Sequence, residues 1–365
     1  MQSEIALVGR RIRYDDRNQR WPGLRLGTNR AKRIINLVKK QTFTMALERH
    51  DRHVPFFMGA VKPPDGVEIV PLEIGVGNQS GRRDGQARHG RMFRDHEFDI
   101  CEQSLSSYII AKSRGATFTA APVFPRRLFS QSCMFVNCKS DIETPADLSG
   151  KRVGILSFQT TLCVQAKGDL KQEFGVAWQD IDWFVQQAEE LTWESGGDAS
   201  INQIANGRNA CEMLVAGELD AVFLPNPPPV VLESGDRVKR LFSDPRTECV
   251  RYFRKHGYCP IMHLMVFSDM TVDAAPWLPR ATINMCDEAT RLTYGYYEDP
   301  NYSLLLFARN ELEIQHEVLG NDPWQSGLTA NRANLERFID FMVDQLLIDA
   351  PISIESLFHS SVLDT

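Results

Sequence analysis

Beyond residue 41 the chain alternates short apolar runs with polar segments that open onto helical patterns. Residues 42–47 and 67–72 are strand-like in length and in their β-branched and aromatic content. Between them lies a polar loop holding His50, Asp51, Arg52 and His53, with a short turn to Gly59. Residues 88–96 have helical spacing and lead into an apolar strand at 98–101. That strand runs into Glu102, Gln103 and Ser104, with Ser106 and Ser107 opening the helix that follows. The next strand, 120–124, ends in Pro125-Arg126-Arg127, and 132–137 reads as another.

The alternation continues through a short helix, a glycine turn and a strand to Ile155. Gln159, Thr160 and Thr161 then form a second strand-to-helix junction before the helix 162–174. Strands are expected at 181–185 and 219–224, with short helices at 210–216 and 248–255, a loop over 189–206 and a short apolar run at 238–242. Residues 261–267 form a proline-started buried strand carrying His263, and helices over 277–297 and 333–347 finish the chain. Strands alternating with helices in two blocks predict an α/β protein of two lobes. The strand-rich crossings place lobe one at 42–137 and 264–365, and lobe two at 138–263.

Composition narrows the function classes. The chain has 365 residues, 43% hydrophobic and 24% charged, with a net charge of −6. A nucleic-acid partner is not expected from an acidic chain. Neither is a membrane span, since no apolar run approaches about 20 residues. The eight cysteines form no CxxC pair, which predicts reduced, mostly buried thiols and no zinc site. Residues 1–41 are rich in Arg and Lys and lack the apolar core of a secretory signal. They read as a poorly ordered surface extension, or as the product of a misplaced start codon, on a cytoplasmic protein.

Two strand ends deliver hydroxyls and guanidiniums together. Helix N-termini attract anions, and ligands of open α/β sheets sit beyond the carboxyl ends of the strands. Ser104, Ser106, Ser107, Arg126, Ser132, Gln159, Thr160 and Thr161 are therefore candidates for binding a small anion. His50 and His53 flank Asp51 and Arg52, but a metal pair there lacks a third ligand nearby. No glycine-rich nucleotide motif and no GxSxG elbow occurs.

The segments FDICEQSLSSYIIA, APVFPRRLF, PADLSGKRVGI and GYCPIMH, with DPWQSGL near the end, resemble the 4,5-dihydroxyphthalate decarboxylase family over residues 43–357. That family is related to type II periplasmic solute-binding proteins. The resemblance implies a two-lobed Venus-flytrap fold with a small aromatic carboxylate in the cleft. It also implies conversion of 4,5-dihydroxyphthalate to protocatechuate and carbon dioxide without an organic cofactor. Where the family has Arg-His-Ser, this chain has Ser130-Gln131-Ser132, and a tryptophan and arginine of the family are replaced by Gln165 and Lys167.

On this reading Arg127 clamps the retained carboxylate, because a guanidinium binds carboxylates bidentately. Arg126 is a second candidate. His263 suits proton transfer, its unperturbed pKa lying near neutrality. It could equally be a satisfied histidine of the core strand, and the resemblance favours the first role. Glu102 is expected to orient a ring hydroxyl or accept its proton, or else to cap its helix. His50 faces the cleft. The alternative to the enzyme is a non-catalytic, solute-binding-like protein that closes on a small anionic aromatic ligand. The sequence leaves room for a homo-oligomer.

Overall fold

In the first four strands the β-branched and aromatic residues anticipated above are paired into sheet. They are β1 (Gln41–Leu47), β2 (Val67–Glu73), β3 (Ile100–Ser104) and β4 (Phe118–Arg127) in the computed structural model, which describes residues 40–75, 88–189, 191–193 and 199–365. The basic N-terminal segment up to residue 39, residues 76–87 and the Gly196-Gly197 pair of the 189–206 segment lie outside those residues. The chain then forms β5 (Met134–Asn137), β6 (Arg152–Ile155), β7 (Asp182–Val185), β8 (Ile201–Gln203), β9 (Ala221–Phe223) and β10 (Val238–Arg240). It returns to the first sheet as β11 (Ile261–Ser268).

The first sheet has the order β2-β1-β3-β11-β4, the second β10-β5-β9-β6-β7-β8. In the first, β1 lies parallel to β2 and β3, while β11 runs antiparallel between β3 and β4. The second is parallel from β9 to β8 and antiparallel at β5 and β10. Both sheets are thus mixed, and every residue of β11 is buried. Residues 40–365 pack as one compact unit.

The chain changes sheet after Arg127 and again before Ile261. The expected lobe boundaries at Asn137 and His263 therefore do not coincide with the crossings. β5 belongs wholly to the second sheet, and β11 with His263 belongs to the first. Composition marks a strand but not its partners, and the partners of β5 lie more than 80 residues downstream, at Ala221–Phe223 and Val238–Arg240. Ser132, expected in that strand, sits in the 3-10 turn Ser130–Cys133. The strand β8 and the helix Ala308–Leu319 had no clear pattern in the sequence.

The helices Leu105–Ser113 and Thr161–Phe174 start directly above the two sheets. A side chain at Gly168 would clash with Phe341, since a Cβ there would lie 2.2 Å from its ring. The glycine thus lets the second of these helices pack closely on Leu328–Asp344. All eight cysteines are free thiols, five of them buried. Among the described residues no helix is long and apolar enough to cross a membrane.

Candidate active site

A cavity of about 360 Å³ opens where the two sheets meet. From the first sheet's side it is lined by Glu48, Arg88, His89, Ser104, Ser107, Arg126 and His263. From the second come Leu156, Ser157, Gln159, Thr160 and Thr161, with Leu128, Leu162 and Met262 adding apolar wall. Register explains the grouping on the first sheet. His263 pairs with Ser104 of β3 on one side and with Arg126 of β4 on the other. Directly paired residues share a face of the sheet, so the three side chains form one row. The pairing of β11 with β4 is irregular on both sides of His263.

Behind this row lies a buried charge network. Glu102 is fully buried and does not line the cavity. Its Oε1 lies 2.5 Å from His263 Nδ1 and 3.0 Å from the Arg88 guanidinium. Arg88 also donates to the Glu102 carbonyl at 2.7 Å and meets the Glu48 carboxylate at 3.2 Å. The Glu102 Oε2 accepts the backbone N–H of Glu48 at 3.0 Å. Burial would raise the Glu102 carboxyl, but Arg88 and the His263 hydrogen bond outweigh it and hold it well below the ordinary carboxylate value. Burial drives the His263 imidazole down to about 4, assisted by Arg126 and Arg88 and opposed by Glu102. At neutral pH the site therefore holds a carboxylate and a neutral imidazole. Nδ1–H donates to Glu102, and Nε2 is an open acceptor with no partner among the described residues.

The two arginines at the end of β4 diverge, as strand alternation requires. Arg126 lines the cavity, and among the described residues its guanidinium has no hydrogen bond or ion pair. Arg127 points elsewhere. It donates to the carbonyls of Cys259 and Gln325, both at 3.1 Å, and to Asn331 Oδ1 at 2.7 Å. At the Ser104 end of the row, two helix starts converge. The hydroxyls of Ser104 and Thr161 lie 2.9 Å apart, and Thr161 Oγ1 accepts the Ser106 N–H at 3.2 Å. Two helix starts and a guanidinium without a hydrogen bond or ion pair among the described residues thus face the cavity, surroundings that favour negative charge.

A curated relative, the 4,5-dihydroxyphthalate decarboxylase of Comamonas testosteroni, is 28% identical over 337 residues, covering 90% of this chain and 99% of the relative. The protein of the same name from Pseudomonas putida is 31% identical over 229 residues, covering 61% of this chain and 85% of that one. The chain belongs to the 4,5-dihydroxyphthalate decarboxylase family. No family model matches it. Among solved structures, the periplasmic aliphatic sulphonate binding protein SsuA from Escherichia coli superposes with a TM-score of 0.55 at 13% identity, over 89% of this chain and 99% of that one. The alkanesulfonate-binding SsuA from Xanthomonas axonopodis gives 0.51 at 14% identity, over 88% and 98%. This likeness fixes the fold of this family member as the two-lobed, type II solute-binding architecture expected from the sequence.

Within this decarboxylase-family scaffold the expected site residues divide. His263, Arg126, Ser104, Ser107, Gln159, Thr160 and Thr161 meet at the cavity. Arg127 is tied into the protein and is not available as a clamp. Glu102 reaches His263 and does not line the cavity where a ring hydroxyl was expected to meet it. The Ser106 hydroxyl is buried with no hydrogen-bond partner among the described residues, and the Ser132 hydroxyl bonds the Phe129 carbonyl. His50 stands behind the cavity, its Nε2 3.9 Å from Glu102. Burial and Arg52 depress its imidazole to about 4. Among the described residues no group of three or more His, Cys, Asp or Glu side chains could hold a metal. Glu48, Arg88 and His89 line the cavity without having been singled out in the sequence; Glu48 is the residue after β1, and Arg88-His89 open a helix just before β3. The replaced family positions Ser130 and Gln165 both bond the buried Asp169, away from the cavity.

Proposed function

We propose that this protein decarboxylates 4,5-dihydroxyphthalate to protocatechuate, using its own side chains for the proton transfer. The observation that carries the reading is the row His263–Arg126, with a partnered Nδ1, an open Nε2 and an unpaired guanidinium side by side on the cavity wall.

The chemistry follows from those groups. Arg126 and the two helix starts hold the retained carboxylate. The departing carboxylate lies against Leu128, Leu162 and Met262, where water cannot solvate it well. Entry of a dianion beside His263 raises the proton affinity of the imidazole, and Glu102 stabilises the imidazolium that forms. The imidazolium delivers its proton to the ring carbon bearing the departing carboxylate. The hydroxyl para to that carbon supplies electron density and takes on ketone character. The carbon–carbon bond then breaks, its electron pair restores the aromatic ring, and carbon dioxide leaves. One proton is consumed per turnover, and solvent returns it to His263.

Incubating purified protein with 4,5-dihydroxyphthalate tests this directly. Carbon dioxide release with loss of the substrate's ultraviolet absorbance is the expected result. Tight binding of hydroxylated phthalates with no carbon dioxide would establish the solute-binding alternative instead.

A further inference from the structure

The carboxyl edge of the first sheet carries opposite charges at its two ends. Strand β4 brings Arg126 to this edge, β11 brings His263, β3 brings Ser104, and the residue that follows β1 is Glu48. Strands β1, β3 and β4 run the same way, so their carboxyl ends meet at one edge. β1 and β4 stand three places apart in the sheet, about 14 Å at the usual strand spacing. All four residues line the same cavity. Its wall is thus cationic at Arg126 and acidic at Glu48, with the imidazole of His263 between them. The Glu48 Oε2 meets Arg88 at 3.2 Å. Burial, with the nearby Glu102, would raise the Glu48 carboxyl, but Arg88, helped by His50 and Arg126, holds it below the ordinary value. A carboxylate on a cavity wall repels a second carboxylate and favours a neutral group that donates a hydrogen bond.

A dihydroxylated phthalate has the same polarity as this wall. Its two carboxylates share one edge of the ring, and its two hydroxyls share the opposite edge. We infer that Glu48 is the specificity-determining residue of the cavity, accepting a hydrogen bond from the hydroxyl para to the departing carboxylate. With a carboxylate at Arg126, the hydroxyl edge of the ring turns toward β1 and the ring carbons pass His263. An aromatic dicarboxylate without hydroxyls leaves Glu48 facing bare C–H groups, stripped of water and without a donor, and is rejected for that reason. The bond also serves the reaction, because it strengthens as the hydroxyl oxygen takes on ketone character. This inference rests on the reading of the ligand as a hydroxylated phthalate, and not on its decarboxylation. If Glu48 did no more than steady Arg88, its loss would weaken every ligand alike.

Calorimetry with two probes, 4,5-dihydroxyphthalate and phthalate, tests it on the full chain carrying His263→Gln, which lacks the proposed proton donor and so does not consume the ligand. This protein should bind the dihydroxylated acid at least about tenfold more tightly than phthalate, the scale of a hydrogen bond to a charged group. Adding Glu48→Ala should erase most of that ratio by weakening the dihydroxylated acid while phthalate binds as before or better. Glu48→Gln, whose amide oxygen still accepts, should keep part of the ratio. Adding Arg126→Ala instead should weaken both acids by a similar factor and leave the ratio intact. A ratio near one before Glu48 is changed would overturn the inference. So would an equal loss of both acids in Glu48→Ala, or, should that variant not fold, an undiminished ratio in folded Glu48→Gln. Binding of neither acid would remove the ligand reading and this inference with it. A failure to release carbon dioxide leaves the test standing, because it reads binding alone.

Discussion

Glu102 and His263 are diagonal neighbours on antiparallel strands, and the 2.5 Å contact between Oε1 and Nδ1 leaves the imidazole one open nitrogen. Replacing His263 with Gln should preserve binding of an aromatic dicarboxylate and lower turnover by roughly 100-fold or more, the usual scale for a general acid. Binding to the parent should also take up a proton, because the imidazole starts neutral and ends charged. Calorimetry in buffers of different ionisation enthalpy reads that uptake, and it should vanish in His263→Gln. Normal turnover in a folded variant would move the proton donor elsewhere.

The two arginines of β4 should separate cleanly. Arg126→Ala should weaken dicarboxylate binding by more than about 2 kcal/mol, the scale for losing one partner of a buried charged contact, with melting temperature unchanged. Arg127→Ala should do the reverse, since it orphans Asn331 and two carbonyls but touches no ligand. Equal affinity in Arg126→Ala and parent would remove that residue from the site.

Arg88 sets the balance of the Glu102–His263 pair. Its charge lowers the proton affinity of both partners. Glu48, Glu102, His89 and Arg126 are the other ionisable groups facing His263 across the cavity and the sheet. Arg88→Gln should therefore move the His263 titration upward by on the order of one unit, followed by NMR of the imidazole. Arg88→Lys, which keeps the charge, should stay near the parent. An unmoved His263 signal in folded Arg88→Gln would assign Arg88 a purely architectural role.

Stability should fall on acidification. His50, His53 and His263 are each depressed to about 4, chiefly by burial, from an ordinary 6.5. Between those values the unfolded chain binds more protons than the folded one, so their contribution is complete above about pH 6.5 and is lost as pH falls toward 4. The slope is about 1.4 kcal/mol per pH unit for each proton. Urea titrations across that window check it, and His263→Gln should flatten the dependence. Stability that is level from pH 7 to 4 would contradict the buried, neutral state of these rings.

The sequence made the architecture legible because strand composition and helix starts alternate so regularly. The two helix starts at the cavity were legible for the same reason, since Ser104 ends a strand and Thr161 opens a helix a short loop after one. The choice between Arg126 and Arg127 was not. It depends on the register of β4 against β11, and Pro122 and Pro125 interrupt the alternation that would let one count along the strand. Glu102 was found but given the wrong contact, because sequence shows a carboxylate at a strand end and not the histidine 161 residues later that covers it. Arg88 and His89 were missed because nothing local distinguishes them from a solvated helix face.

The row formed by Ser104, His263 and Arg126 has an evolutionary consequence. The proposed proton donor and charge clamp both ride on one sheet, while Leu156, Ser157, Gln159 and Thr160 reach the same chamber from the other. Substitutions on the second sheet can reshape the chamber without disturbing the acid–base pair. The range of acids accepted can then drift in one half of the molecule while the other half keeps the reaction.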